Sequence, residues 1–277
     1  MISMSLRGVR GGVGTSSTLA ALGHALHELG QKVLLVDMCP ENSLGLHFNM
    51  DLAPREGWAR ATLDRQPWHE HAWVVEPGLC VLPYGQLKPS ELFALDALLI
   101  EQPKLWSQRQ AALANAFDWI LFDLPQRLPG HMTNPHCALS MMVTNADAAC
   151  HVLLQPQLTQ TPLFLVNRFD AASQLQRDLL LIWQQRYAHA LVPVNLHADE
   201  AMAEALARSE PAGRYAPSSL IALDIISLAS WCLLRGRGLN DQALVPLYTI
   251  AAGAELHPFY RLHPGADSSA GLDLPAP

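Results

Sequence analysis

Arg10-Gly11-Gly12-Val13-Gly14-Thr15-Ser16-Ser17 is the stretch on which the reading of this chain turns. It follows an apolar run, Ile2 to Gly8, that reads as a strand, and it opens an amphipathic helical pattern over Ser16 to Leu29. Glycines let successive backbone N–H groups converge on an anion, and the N-terminus of the following helix adds its partial positive charge. The stretch is therefore a candidate phosphate-cradling loop. The usual loop has Gly-x-x-x-x-Gly-Lys-[Ser/Thr], whereas Val9 stands here at the first Gly and Thr15 at the Lys. Ser16 keeps the place where a hydroxyl meets Mg²⁺. Taken alone, the stretch also fits a Gly-rich strand-to-helix turn with no ligand, so the rest of the chain has to decide.

Working outward, Lys32-Val33-Leu34-Leu35-Val36-Asp37 is a short continuous apolar run ending in an acid, the pattern of a parallel strand buried on both faces. Trp119-Ile120-Leu121-Phe122-Asp123 repeats it. Either acid alone could be a helix cap or a surface carboxylate. Two such strands plus the glycine loop would bring three polar elements to one edge of an open sheet, where such folds bind ligands. The polar, irregular stretch Met38 to Pro54 reads as a functional loop.

Further strands are expected at Leu79 to Leu82, Leu139 to Thr144, Leu163 to Asn167 and Leu191 to Leu196. Helices are expected at Glu56 to Leu63, Pro89 to Ala116 (interrupted at Pro103), Asp147 to Leu154, Ser173 to Tyr187, Asp199 to Arg208 and Ser218 to Leu234. Strand and helix alternate throughout, which predicts one α/β domain: a doubly wound, mostly parallel sheet with helices on both faces. The domain is expected to span residues 1–235. Residues 236–277 turn to Pro, Gly and Ala and read as a flexible tail, in which the apolar island Ala243 to Ala252 could touch a partner or a membrane. Trp58, Trp68 and Trp73 are expected to pack between layers.

Composition narrows the function. A 277-residue chain, half of it apolar, can fill a substantial core. Its net charge of −7 and only three lysines, Lys32, Lys88 and Lys104, argue against non-specific nucleic-acid or anionic-lipid binding. Five scattered cysteines without a C-x-x-C pair, and no evident signal peptide, suit a reducing cytoplasm. No stretch is apolar for long enough to span a bilayer. The histidines, including His69 and His71, show no convincing companion ligands for zinc. A Rossmann oxidoreductase is disfavoured, because the glycines run Gly11, Gly12, Gly14 instead of G-x-G-x-x-G.

Arg10 to Ser17, Val33 to Asp37, Ile120 to Asp123, Val166-Asn167-Arg168 and Ala212 to Leu228 together resemble the deviant-loop P-loop NTPases of the MinD/ParA type. A narrower likeness, carried by Gly8 to Thr15, Gly57 to Arg60, Pro83 to Leu87, Asp199 to Glu204 and Trp231 to Leu234, is to the MinD/ParA-type component of bacterial cellulose secretion systems. It runs from residue 4 to about residue 235. The resemblance implies an ATP- and Mg²⁺-binding protein that forms a homodimer with ATP. It also implies association with other cytoplasmic cellulose-secretion components, such as BcsR and BcsE, and peripheral recruitment to the membrane synthase at the inner membrane or cell pole.

Carried over position by position, the resemblance makes Arg10 the counterpart of a signature Lys that reaches the other subunit's phosphates. Gly11, Gly12, Val13, Gly14, Thr15, Ser16 and Ser17 become the phosphate loop, Asp37 the acid after the second strand, Ser16 and Asp123 the metal-holding pair, and Asn167 the adenine contact. Two departures stand out. Thr15 replaces the second loop lysine, and Cys39 replaces an Asp that helps orient the attacking water. Phosphoryl transfer is mostly positioning and charge stabilisation, so both losses point to a binder with weak or absent hydrolysis. The alternative expectation is a cycling ATPase that positions or partitions cargo on a surface.

Overall fold

Runs of alternating branched apolar residues become strands because each can bury one set of side chains on either face of a sheet. The computed structural model describes residues 1–50, 56–133, 135–158 and 163–243. Its strands are β1 (Ile2–Gly8), β2 (Val33–Asp37), β3 (Trp73–Glu76), β4 (Leu79–Leu82), β5 (Trp119–Leu124), β6 (Leu139–Asn145), β7 (Leu163–Phe169) and β8 (Leu191–His197). They form one eight-stranded sheet in the order β3-β4-β2-β5-β1-β6-β7-β8. Every pairing is parallel except β3 with β4.

The helices are α1 (Thr15–Glu28), α2 (Trp58–Leu63), α3 (Pro89–Glu101), α4 (Leu105–Leu113), α5 (Pro129–Thr133), α6 (Ala148–Gln157), α7 (Gln174–Arg186), α8 (Ala201–Ala207), α9 (Ala212–Tyr215) and α10 (Leu220–Ala243). The two-residue period of the strands divides the core. Val33, Leu35 and Leu121 point to the side where Leu19, Leu22 and Leu26 of α1 and Ile221, Ile225 and Leu228 of α10 pack. Leu34, Val36, Ile120 and Phe122 point the other way, against Trp58, Leu95, Leu99 and Trp106. This is the doubly wound α/β arrangement expected from the alternation of elements.

The short helices α5 and α9 were not expected from the sequence, and further details differ. The hairpin strand β3 was not expected; its alternation is too short to register, and only pairing with β4 makes it a strand. Trp73 lies on that edge strand and is 53% exposed, so it does not pack between layers. Trp58 is fully buried and Trp68 is packed at the margin of the same cluster. Finally, α10 continues past Arg235 to Ala243. One compact unit covers Met1–Leu239, and of the second, Asn240–Pro277, residues 240–243 are described as helix. The rest of the expected tail, including all but the first residue of the apolar island, lies outside the described residues. Among the described residues, no helix is long and apolar enough to cross a membrane.

Candidate nucleotide site

β1 ends at Gly8, and the chain leaves the sheet through Val9, whose N–H still donates to the Val143 carbonyl of β6 at 2.9 Å. The loop then turns through left-handed glycines, Gly12 at φ +77° and Gly14 at φ +89°, before α1 begins at Thr15. Gly14 is fixed twice over: a side chain there would be strained by the backbone, and its Cβ would meet Asn167 Nδ2 at 2.6 Å. The loop carbonyls are tied off by side-chain donors. Asn167 Nδ2 donates to Val13 O at 2.8 Å, Arg168 Nη1 to Gly12 O at 3.2 Å and Arg10 Nη1 to Gly11 O at 3.1 Å. Gln126 and Gln157 both donate to Val9 O, at 3.0 and 3.2 Å. With these carbonyls engaged, the loop and the start of α1 present net positive partial charge to the space in front of them.

That space is a cavity of about 770 Å³ at the carboxyl ends of β1, β2 and β5. Arg10, Gly11, Gly12, Gly14, Thr15, Ser16 and Ser17 line it, together with Cys39, Glu41, His47, Asp123, Gln126 and Arg127. Of the residues singled out from sequence, Val13, Asp37 and Asn167 do not line it. Val13 is buried in the core beneath the loop. Both ends of the Asn167 amide are engaged, Nδ2 by Val13 O and Oδ1 by the Arg168 N–H at 2.9 Å, so this side chain braces the loop from behind.

Asp37 and Asp123 end adjacent strands and are paired in register. Asp37 accepts the Cys39 N–H on Oδ1 at 2.9 Å and the Leu44 N–H on Oδ2 at 3.0 Å, and its own carbonyl accepts Trp58 Nε1–H at 2.7 Å. Asp123 is 1% exposed, and its Oδ2 has no hydrogen-bond partner. Burial pushes both carboxyls up. Asp37 is raised by burial and then by the charge of Asp123, which the two amides offset in part. Asp123 is pushed up to about 7 by burial, with the neighbouring Ser16 hydroxyl working against the rise. A buried acid at the cavity wall, with a raised pKa and one oxygen without a partner, fits a hard divalent cation, which would favour its charged form.

Arg10 is bound within its own chain. Its Nη2 donates to Asp147 Oδ2 at 2.8 Å, while the other oxygen of Asp147 caps α6 by accepting the Cys150 N–H at 2.8 Å. The sequence reading missed Asp147, Arg168, Gln126 and Arg127. Asp147, Gln126 and Arg127 follow the ends of β6 and β5, and Arg168 is the penultimate residue of β7; that position was the available signal. It also missed Asn42, whose amide joins the turn after β2 to Gly85: the Gly85 N–H donates to Oδ1 at 3.0 Å, and Nδ2 donates to Gly85 O at 3.3 Å. The five cysteines are free. His24 does have acidic companions, Glu28 four residues on in its own helix and Glu76 from β3, of which only the second is beyond the reach of spacing. There Arg214 already supplies a cation, donating to Glu76 at 2.6 Å.

This loop at the end of β1, on a sheet of this order, gives the chain the fold of the P-loop proteins of the MinD/ParA type. The structure resembles septum site-determining MinD of Pyrococcus horikoshii complexed with Mg-ADP, with TM-score 0.66 and 21% identity over 82% of this chain and 94% of that one. It also resembles apo McdA of Cyanothece, with TM-score 0.70 and 14% identity over 84% and 99%. A family model described as cellulose biosynthesis protein BcsQ matches residues 1–233. The BcsQ of Escherichia coli K12 is 40% identical over 252 residues, 87% of this chain and 97% of that protein. The chain belongs to the BcsQ family of cellulose biosynthesis proteins and has a MinD-like fold.

Proposed function

We propose that the chain is an ATP-binding, nucleotide-gated homodimeric assembly or localisation factor for a bacterial cellulose synthesis and secretion system, with weak or absent hydrolysis. The observation that carries the reading is the asymmetry of the cavity. The tied-off loop, Ser16 and Asp123, whose Oδ2 has no partner, line the cavity and support nucleotide and cation binding. Thr15 and Cys39 line it too, at the positions where the resemblance expects a cation and a water-orienting acid. Ser16 and Asp123 would hold Mg²⁺, which when bound offsets phosphate charge that Thr15 cannot meet. A bound cation there would favour the charged carboxylate of Asp123.

Arg10 keeps the signature positive charge and offers a planar fork of donors. In the dimer it exchanges Asp147 for the other subunit's phosphates. Its partners are a second copy, cytoplasmic components such as BcsR and BcsE, and the membrane synthase, which recruits it from the cytoplasm to the inner membrane or pole. The second reading, a cycling ATPase that positions cargo on a surface, draws on Arg127, an exposed cation lining the cavity that could replace the missing lysine.

One experiment separates them. Light scattering with ATP and Mg²⁺ should give a dimer that Arg10→Ala loses, and phosphate release should run at or below roughly 10⁻⁴ to 10⁻² s⁻¹, the slow intrinsic range of switch NTPases. Thr15→Lys with Cys39→Asp should raise that release. Brisk turnover by the unmodified chain would establish the cycling ATPase instead, and an ATP dimer of equal strength in Arg10→Ala would place the interface elsewhere.

A further inference from the structure

The turn after β2 does more than remove a catalytic acid: it brings a sulfur to the metal end of the cavity. An oxygen of Asp37, Cys39 Sγ and an oxygen of Asp123 all lie within 4.8 Å of one another. Independently of the thiol, Asp123 is 1% exposed and its Oδ2 has no partner. One of the three grouped side chains thus carries a buried acceptor without a partner. Asp37 has given one acceptor site on each oxygen to a backbone amide, and a carboxylate has about four. Cys39 and Asp123 both line the cavity, so an ion has an entry path. Among the described residues, no basic side chain is ion-paired to either acid, in contrast to the His24, Glu28 and Glu76 cluster, where Arg214 already fills that role.

Ligand chemistry then selects the ion. Mg²⁺ binds oxygen and leaves a thiol untouched, whereas a borderline-soft cation takes sulfur and deprotonates it. Three protein ligands with one position open is the donor count of reactive zinc sites. We propose that Asp37, Cys39 and Asp123 form a binding site for a thiophilic divalent cation of the zinc class, filled without nucleotide and with its fourth position open to the cavity. As the metal–sulfur bond forms, the S–H bond breaks and its proton goes to solvent; no electron is transferred. The proposal rests on the reading of Asp123 as the cation-facing acid. Its consequence is competition, since a zinc-class ion held by Cys39 excludes Mg²⁺ from Asp123 and sets how much of the protein can load a magnesium nucleotide.

The test uses the full chain, reduced and nucleotide-free, titrated with Co²⁺ as a spectroscopic probe. A thiolate-to-cobalt charge-transfer band should saturate at one ion per chain and be displaced by Zn²⁺. Cys39→Ser should abolish it, Asp123→Asn should weaken cobalt binding at least about tenfold for loss of one charged ligand, and Cys80→Ser should keep it. No band in the unmodified chain, a band only in large cobalt excess, or a band of equal strength in Cys39→Ser overturns the proposal. If Cys39→Ser does not fold, alkylation of Cys39 read by mass spectrometry decides: Zn²⁺ must slow it in the unmodified chain, and an unchanged rate overturns the site. Because no nucleotide is present, failure here leaves the ATP reading standing. An intact cobalt band in a chain that binds no ATP would sink that reading alone.

Discussion

The carboxyl ends of β2 and β5 look alike and behave differently. Each strand is buried along its whole length, each contributes an Asp, and Asp37 and Asp123 face each other in register. After Asp37 the chain folds over the carboxylate, and the N–H two residues on, that of Cys39, donates to it. The residue two positions after Asp123 is Pro125, which has no N–H to return. One acid therefore organises a turn, and the other keeps a bare oxygen for the cavity. The lesson is that a strand-ending acid acquires its chemistry from the amides of the turn that follows.

The largest expected effect is on the organised side. Asp37→Ala leaves the Cys39 and Leu44 amides without their acceptor, each worth about 1–3 kcal/mol when buried. Urea melts should show a loss of about 3 kcal/mol, and an unshifted midpoint would break the comparison. The next is on the cavity side. Asp123→Asn should weaken magnesium-dependent ATP binding by about 2 kcal/mol, roughly 30-fold, as expected for a charged contact. Calorimetry of the apo variant at pH 8 should show equal or higher stability, since a buried negative charge has been removed.

A third expectation sharpens the contrast through pH. The carboxyl of Asp123 is raised to about 7 in the folded chain, so the folded state binds more protons than the unfolded one between about pH 4 and 7. Its contribution to apo stability is fully present below about pH 4 and is lost as pH rises through 7. Melting of the apo protein against pH should show that decline, and Asp123→Asn should flatten it. Magnesium-nucleotide affinity should rise over the same interval, because the cation displaces the proton. The smallest effect belongs to Pro125→Ala, which returns an N–H at the position Cys39 uses. It should lower the Asp123 midpoint and change stability by less than about 1 kcal/mol. No movement of that midpoint would mean that the turn, not the missing amide, keeps the oxygen bare.

How much of this was legible varies by element. The glycine loop, the apolar runs of β2 and β5 and the acid each carries can be read along the chain, because burial on both faces demands continuous apolar residues. The Trp58 role was visible as an apolar ring; its indole bond to the Asp37 carbonyl was not. Asn167 drew notice as a possible base contact, yet the fold gives both ends of its amide to the loop and its neighbour. The Arg10 to Asp147 pair spans 137 residues, a separation at which no local pattern operates.

The sequence by itself determined the alternation of elements, the place of the glycine loop and the presence of Thr15 and Cys39, the two residues on which the proposed split between binding and turnover rests. These depend on residue type and on spacing within a few residues, where backbone geometry is fixed. Only the tertiary structure decided which acid is open, which arginines reach the cavity and which groups lie within ligand distance of one another. Those outcomes depend on how β2, β5, β6 and β7 line up at one edge, and on which buried polar atoms the turns there leave without a partner.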